Sequence, residues 1–140
     1  MIPIAIVIAS GALGAAVLGG CAGTSSAPPP AMSPVAITDF RAVAGRWAGP
    51  VIGLASHRTE GDWVQLAIAE DGTYDFGIVR TIGVFGGKGQ FTLKDGKLQM
   101  EGERGRATYA LYEGDGRRAL RADGVLGSGG TVSAELRPAR

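Results

Sequence analysis

The only histidine of the chain lies in a polar segment whose residue types could support hydrolysis or metal binding. The segment, residues 56–62, has the sequence SHRTEGD. Nucleophilic catalysis needs a base that a third group orients and an oxyanion pocket, and closeness in sequence supplies neither. A metal site normally recruits more than one His or Cys ligand, and the chain has one of each, His57 and Cys21. We therefore interpret the segment as a polar surface loop, and we expect no catalytic residues, no metal and no cofactor.

A glycine-rich segment, residues 83–89 (GVFGGKG), is the second candidate for chemistry. A phosphate-binding loop needs the pattern G-x-x-x-x-G-K followed by Ser or Thr. Ile82 occupies the first glycine position and Gly89 follows the lysine, so the pattern fails twice. Glycines in such a place are typical of bulges or flexible loops. We expect Val84 and Phe85 to lie in a loop at the mouth of the fold.

The single cysteine follows an uncharged apolar segment. Residues 2–20 (IPIAIVIASGALGAAVLGG) are long enough to span a bilayer, but no Lys or Arg flanks them to set an orientation. An apolar run that ends in small residues is typical of a cleaved signal peptide. An ordinary signal peptide with an incidental cysteine stays open as an alternative, although it would leave an exported chain with an unexplained thiol.

Leu18-Gly19-Gly20-Cys21 resembles the lipobox of bacterial lipoproteins. The resemblance implies that residues 1–20 are a lipoprotein signal peptide and that Cys21 carries a diacylglyceryl group and an acylated amine. Ala22 stands where some lipoproteins carry the aspartate that retains them in the inner membrane. The resemblance therefore implies an envelope protein anchored to the bilayer, at the periplasmic side of the outer membrane in preference to the inner one. Met1-Ile2-Pro3 departs from the pattern because it lacks a basic residue.

Composition divides the chain into three parts: the signal peptide, a linker over 21–38 and a domain over 39–140. The linker begins at Cys21 and is rich in Ala, Ser and Pro, which cannot bury enough apolar surface to order the chain. All charged residues lie at Asp39 or beyond, and 14 basic residues nearly balance 13 acidic ones. This balance gives no electrostatic attraction to nucleic acid, which we exclude as a partner.

Short runs in which apolar and polar residues alternate, separated by Asp-Gly pairs, predict strands throughout the domain. The predicted strands are 46–53, 62–69, 74–81, 88–94, 97–103, 106–113, 117–123 and 130–137. About eight short strands with tight connections predict an all-β, antiparallel up-and-down meander that forms a small barrel. A β-sandwich is the alternative. A short helical turn is expected within 36–44.

The alternation of apolar residues along neighbouring strands predicts the register of two hairpins. Residues opposite one another lie on the same face of a sheet. A three-residue loop at 70–72, with glycine in the left-handed position, pairs Leu66 with Phe76. A two-residue Asp-Gly turn pairs Leu93 with Leu98. Both hairpins then direct apolar side chains to one core.

Gly45-Arg46-Trp47 resembles the start of a lipocalin or of a related calycin barrel. The resemblance implies that Trp47 closes one end of the barrel and that an arginine from the last strand packs across its indole. Arg137 is the matching candidate. Its alternation places it on the opposite face from Leu136, so a bend at Pro138 is needed to bring it over the ring.

The inner face of the predicted barrel is aromatic and aliphatic, as expected for a site that holds an apolar or amphipathic small molecule. The expected ligand-binding residues are Leu66, Phe76, Ile78, Phe91, Met100, Tyr109 and Leu111. Our first hypothesis is a membrane-anchored envelope lipoprotein whose barrel binds such a ligand. The alternative is a structural or protein-interaction lipoprotein with a filled core, since eight strands barely enclose a ligand. Trp63 and the arginines between 104 and 121 would then meet an envelope protein.

Overall fold

The computed structural model describes residues 31–53, 62–80 and 83–140, which form an antiparallel all-β meander that closes almost completely into a barrel. Cys21 and residues 54–61, which include His57, lie outside the described residues, whereas Asp62 begins β3 and is buried. The strands are β1 (Ser33–Val35), β2 (Gly45–Ile52), β3 (Asp62–Ile68), β4 (Thr73–Arg80), β5 (Gly83–Gln90), β6 (Thr92–Lys94), β7 (Lys97–Gly102), β8 (Gly105–Gly114), β9 (Arg117–Leu126) and β10 (Thr131–Pro138). The predicted fold class is confirmed.

The sheet closes because β2 pairs with both β3 and β10, in the order β5-β4-β3-β2-β10-β9-β8-β7-β6. Only Phe91 separates β5 from β6, so residues 83–94 behave as one bent strand. The first part of this strand pairs with β4 and the second part with β7. Counted in this way, the barrel has the eight strands that the sequence predicts, and a slit remains between β5 and β7.

Turn chemistry sets the register of the hairpins. Leu66 lies opposite Phe76 and Leu93 lies opposite Leu98, as predicted. Gly72 has a φ of 84°, the left-handed conformation that the three-residue loop requires. Asp95 and Gly96 have φ values of 52° and 71°, which are typical of the two-residue turn whose twist matches that of the strands.

One end of the barrel, where β2 begins and β10 ends, is closed by apolar side chains; we call it the closed end. A 3-10 turn over Phe40–Ala42 crosses it, and the predicted helical turn is thereby confirmed. Ile37 and Val43 are buried beside the turn, and the Trp47 indole is only 3% exposed. The Trp47 Nε1 donates a hydrogen bond to the Val43 carbonyl at 2.8 Å. These contacts leave the opposite end, where β2, β7 and β9 finish, as the open end.

The arginine over the Trp47 indole is Arg118 and not Arg137, which corrects the expectation for Arg137. The Arg118 guanidinium lies 5.5 Å from the indole centre, pairs with Glu113 at 2.8 Å and donates a hydrogen bond to the Ala42 carbonyl. Arg137 points outward and pairs with Glu135 at 3.2 Å. The alternation of β10 continues without a bend, so Arg137 stays on the face opposite the buried Leu136.

The glycine-rich segment is strand β5 and not a loop, which corrects the expected conformation of Val84 and Phe85. Phe85 does lie at the open end of the barrel, as expected. Rings from β4 cover the inward glycines of β5. A Cβ at Gly87 would lie 2.9 Å from the Phe76 ring, and one at Gly89 would lie 2.5 Å from the Tyr74 hydroxyl. An aromatic ring that covers a glycine on the neighbouring strand supplies the packing that the glycine lacks. This packing stabilises a strand in a run with little β-propensity of its own.

The ordered domain begins by Ser33, so the expected linker over 21–38 is too long at its end. Strand β1 pairs with the end of β8 that β7 does not reach, with Val35 opposite Leu111. The amide of Ile37 donates to the Gly96 carbonyl at 2.9 Å, and its side chain is buried. All of the strands that the structure describes, and the core they enclose, lie within 31–140. A chain without the first 21 residues therefore keeps the whole barrel.

Candidate ligand-binding cavity

A cavity of about 420 Å³ lies inside the open half of the barrel. Its volume falls at the low end of the roughly 300–1,000 Å³ typical of small-molecule sites. Inward side chains from most of the strands line it, including Val64, Phe76, Ile78, Phe85, Met100 and Tyr109. The walls are mainly apolar, so the chemistry that this cavity can perform is binding of an apolar group.

Small residues on the inner face create the space. Ala107, Ala122, Gly124 and Ala134 line the open half of β8, β9 and β10. The closed half of the same strands carries leucines that are fully buried, among them Leu111 and Leu120. The barrel is therefore solid at its closed end and hollow at its open end.

The structure divides the seven expected ligand-binding residues between these two halves. Four of them line the cavity: Phe76, Ile78, Met100 and Tyr109. The other three are packed in the core and do not line it: Leu66, Phe91 and Leu111. Alternation predicts which face a side chain takes, but it does not predict how far along the barrel the packing stays solid. Phe85 was expected at the mouth but not among the ligand-binding residues, and Arg104 was expected in neither place.

A chain of aromatic rings runs from the core to the open end. The ring centres are 5.3 Å apart for Tyr109 and Phe91, 4.6 Å for Phe91 and Tyr74, and 6.2 Å for Tyr74 and Phe76. Phe76 in turn lies 6.2 Å from Phe85. These are tilted or edge-on contacts at the separations that aromatic pairs prefer. They give the cavity an aromatic wall on the side of the slit.

Two tyrosines, Tyr74 and Tyr109, are among the residues that line the cavity. The Tyr109 hydroxyl lies 4.0 Å from the Met100 sulfur, a weak acceptor. Burial, together with the neighbouring Tyr74, raises the pKa of Tyr109 well above its usual range. Burial also raises the pKa of Tyr74. Both phenols therefore stay neutral at physiological pH and keep the cavity interior uncharged.

Tyr109 is expected to make the barrel sensitive to alkali. Because its pKa is raised on folding, the folded protein keeps a proton that the unfolded chain loses near the ordinary pKa of about 10. The free energy of unfolding should therefore fall as the pH rises above about 10, by at most about 1.4 kcal/mol per pH unit from this group. Urea unfolding from about pH 8 to pH 11 measures the slope. Tyr109→Phe should make the slope shallower, and an unchanged slope would contradict this assignment.

The mouth of the cavity is formed by Phe85, Glu103, Arg104 and Leu126 at the open end. The Arg104 guanidinium lies 4.3 Å from the centre of the Phe85 ring. This contact crosses the slit, because Phe85 is on β5 and Arg104 is in the turn between β7 and β8. Among residues 31–53, 62–80 and 83–140, Arg104 has no ion pair. A charged group therefore stands beside an apolar cavity at its opening.

A larger depression, of about 760 Å³, crosses the open ends of β7 to β10. Polar and charged side chains such as Gln99, Thr108 and Asp123 form much of its lining. It lacks the continuous apolar wall that distinguishes a small-molecule site. The cavity inside the barrel is therefore the stronger candidate.

The outer face of the barrel carries exposed apolar side chains near the open end. Trp63 and Val79 lie opposite one another on β3 and β4, and each is 47% exposed. Trp63 thus points outward, as its alternation predicts. Exposed apolar side chains that lie together mark contact surfaces.

Comparison of the chain with protein-family models, with curated proteins and with solved structures finds no significant match. In the part of the chain that the structure describes, no cluster of three His, Cys, Asp or Glu side chains could hold a metal ion. The same residues contain no helix long and apolar enough to cross a membrane. Fold and site together define a small antiparallel barrel with an apolar cavity at one end.

Proposed function

We propose that the protein is a membrane-anchored envelope lipoprotein whose barrel binds an apolar or amphipathic small ligand. The observation that carries this proposal is the apolar cavity inside the open half of the barrel, with charged residues at its mouth. Removing apolar surface from water contributes about 25 cal/mol per Å², so a cavity of this kind favours binding of a hydrocarbon group. The Gly-x-Trp resemblance to lipocalins is consistent with the same function.

The anchor rests on the lipobox resemblance at Cys21. Nine residues separate Cys21 from Ala31, the first described residue, and they reach at most about 30 Å when extended. The chain enters the barrel through β1, which pairs with Leu111–Glu113 at the closed end. The mouth lies at the opposite end of β8. A tether attached in this way leaves the mouth accessible while the barrel stays near the membrane, on the periplasmic side of the outer membrane.

Filling the cavity should abolish ligand binding. Ala107 points into the cavity from β8, and Ala107→Phe puts a ring into the space that the ligand would use. Ala110→Phe is the matched control, because Ala110 lies on the same strand with the opposite alternation, across from Arg121. We expect the chain from residue 22 to bind the uncharged dye N-phenylnaphthylamine at one saturable site, and we expect only Ala107→Phe to abolish that binding.

Thermal unfolding of both variants shows whether the barrel remains folded, since an overpacked core costs about 1–3 kcal/mol. Saturable dye binding that survives in a folded Ala107→Phe variant would contradict the cavity as the site.

A second function, docking onto an envelope protein, is favoured by one observation, the exposed pair Trp63 and Val79. In that case the barrel would bind no dye and a partner would contact the outer face of β3 and β4. Loss of partner capture in a Trp63→Ala variant, with no dye binding to the wild type, would support docking.

A further inference from the structure

We infer that the ligand is a single-chain amphiphile with an anionic headgroup, a carboxylate or a phosphate, which binds Arg104 at the mouth with its chain in the cavity. This inference rests on the proposed function and adds the chemical class of the ligand. It follows from the position of Arg104, the charge of the rim and the size of the cavity.

The Phe85 ring holds the Arg104 guanidinium at the mouth. The contact distance of 4.3 Å is that of a cation–π interaction. A guanidinium that stacks on a ring still has N–H groups along its edge, and these match the two oxygens of a carboxylate or phosphate. Because the described residues offer Arg104 no carboxylate partner, its hydrogen bonds remain available to a ligand.

The rim has a net positive charge. The charged residues that border the cavity are all exposed: Lys88, Glu103, Arg104 and Arg106. Three cations therefore accompany one carboxylate, and Lys88 is paired with Asp75. Inside the rim, the side chains that line the cavity, such as Ile78, Phe76 and Tyr74, carry no charge. Burying a charged headgroup among them would cost far more than leaving it at the rim. The headgroup therefore lies at the mouth and the hydrocarbon lies inside.

The dimensions of the cavity limit the ligand to one chain. Tyr74 lies deepest on β4 and Ile78 lies nearest the mouth, four residues away, which corresponds to about 13 Å along a strand. A volume of about 420 Å³ takes one chain of medium length and leaves no room for a second. A two-chain phospholipid would expose most of one chain to water.

Three probes with the same ten-carbon chain test the headgroup: decanoate, decyl phosphate and decanol. Each is titrated at neutral pH against the dye-loaded chain from residue 22, and its apparent Kd is taken from displacement of N-phenylnaphthylamine. We expect both anions to bind more tightly than decanol. Arg104→Gln should raise the apparent Kd of both anions by about threefold to tenfold, the effect of one charge-assisted hydrogen bond at a partly exposed site. The apparent Kd of decanol should not change. The ratio of decanoate to decyl phosphate then identifies the headgroup.

Arg117→Gln is the matched control, because Arg117 is exposed at the closed end, at the first residue of β9. It should change none of the three affinities. Equal affinities for decanol and both anions, or equal weakening of decanol in Arg104→Gln, would overturn the anionic headgroup while the cavity remains the site. Failure of the wild type to bind the dye and all three probes would instead overturn the proposed function itself.

Discussion

Replacing Trp47 with alanine is expected to lower the free energy of unfolding by about 3–5 kcal/mol, the range for a large buried aromatic side chain. The indole is 3% exposed and fills the closed end beneath Ile37 and Val43. Its removal also leaves the Val43 carbonyl without the hydrogen bond from the Trp47 Nε1. A loss of this size is a large part of the 5–15 kcal/mol that stabilises an ordinary domain.

The second tryptophan of the chain provides the matched control. Trp63 is 47% exposed on the outer face, so Trp63→Ala should lower the free energy of unfolding by only about 1 kcal/mol or less. Urea unfolding of the chain from residue 22, followed by circular dichroism, measures both variants. Equal destabilisation of the two variants would contradict the closed end as the structure describes it.

Cys21→Ser is expected to abolish lipid attachment completely. A serine hydroxyl cannot form the thioether that joins a diacylglyceryl group to the chain. Each buried methylene contributes about 0.8 kcal/mol, so two or three acyl chains hold a protein on a bilayer durably and their loss releases it. In a bacterial host that processes lipoproteins, labelled palmitate should enter the wild-type protein and not the variant, and the variant should leave the membrane fraction.

Ser25→Ala, in the same linker, should keep both the label and the membrane fraction. Labelled protein in the Cys21→Ser strain would show that another residue carries the lipid. Wild-type protein without label would favour an ordinary signal peptide, the alternative that the sequence leaves open. Neither result affects the cavity, which lies wholly within the barrel.

Turn chemistry and parity made much of the fold predictable. An Asp-Gly pair between apolar runs marks each turn. The requirement that opposite apolar residues share one face then selects a three-residue loop at 70–72 and a two-residue turn at 95–96. Leu66 opposite Phe76 and Leu93 opposite Leu98 follow from these two rules. Such interactions are local in sequence, so a single chain contains all the information they need.

Strand β5 shows where local reasoning fails. Its sequence, GVFGGKGQ, has neither the alternation nor the β-propensity of a strand. The Tyr74 and Phe76 rings that cover its glycines belong to β4, so its conformation depends on tertiary contacts. β1 was missed for the same reason, since a three-residue strand pairs only because β8 extends beyond β7.

The sequence predicts which side chains point into the barrel, but it does not predict which of these line the cavity and which lie in the solid half. Phe76 and Tyr109 line the cavity, whereas Leu66 and Leu111 point inward equally well and lie in the solid half. The difference depends on which alanines and glycines meet across the barrel. Long arginine side chains are harder still to place. Arg118 reaches Trp47 from a neighbouring hairpin, and the candidate from the last strand, Arg137, points outward.

The central claim is that the cavity holds an apolar or amphipathic molecule. Native mass spectrometry of the chain from residue 22, purified from a bacterial host without detergent, tests it most directly. The expected result is a folded protein with a discrete extra mass at a ratio of one to one, which denaturation releases and which Ala107→Phe lacks. A bare mass that stays unchanged after incubation with extracted envelope lipids would contradict the claim and turn the search to protein partners of Trp63 and Val79.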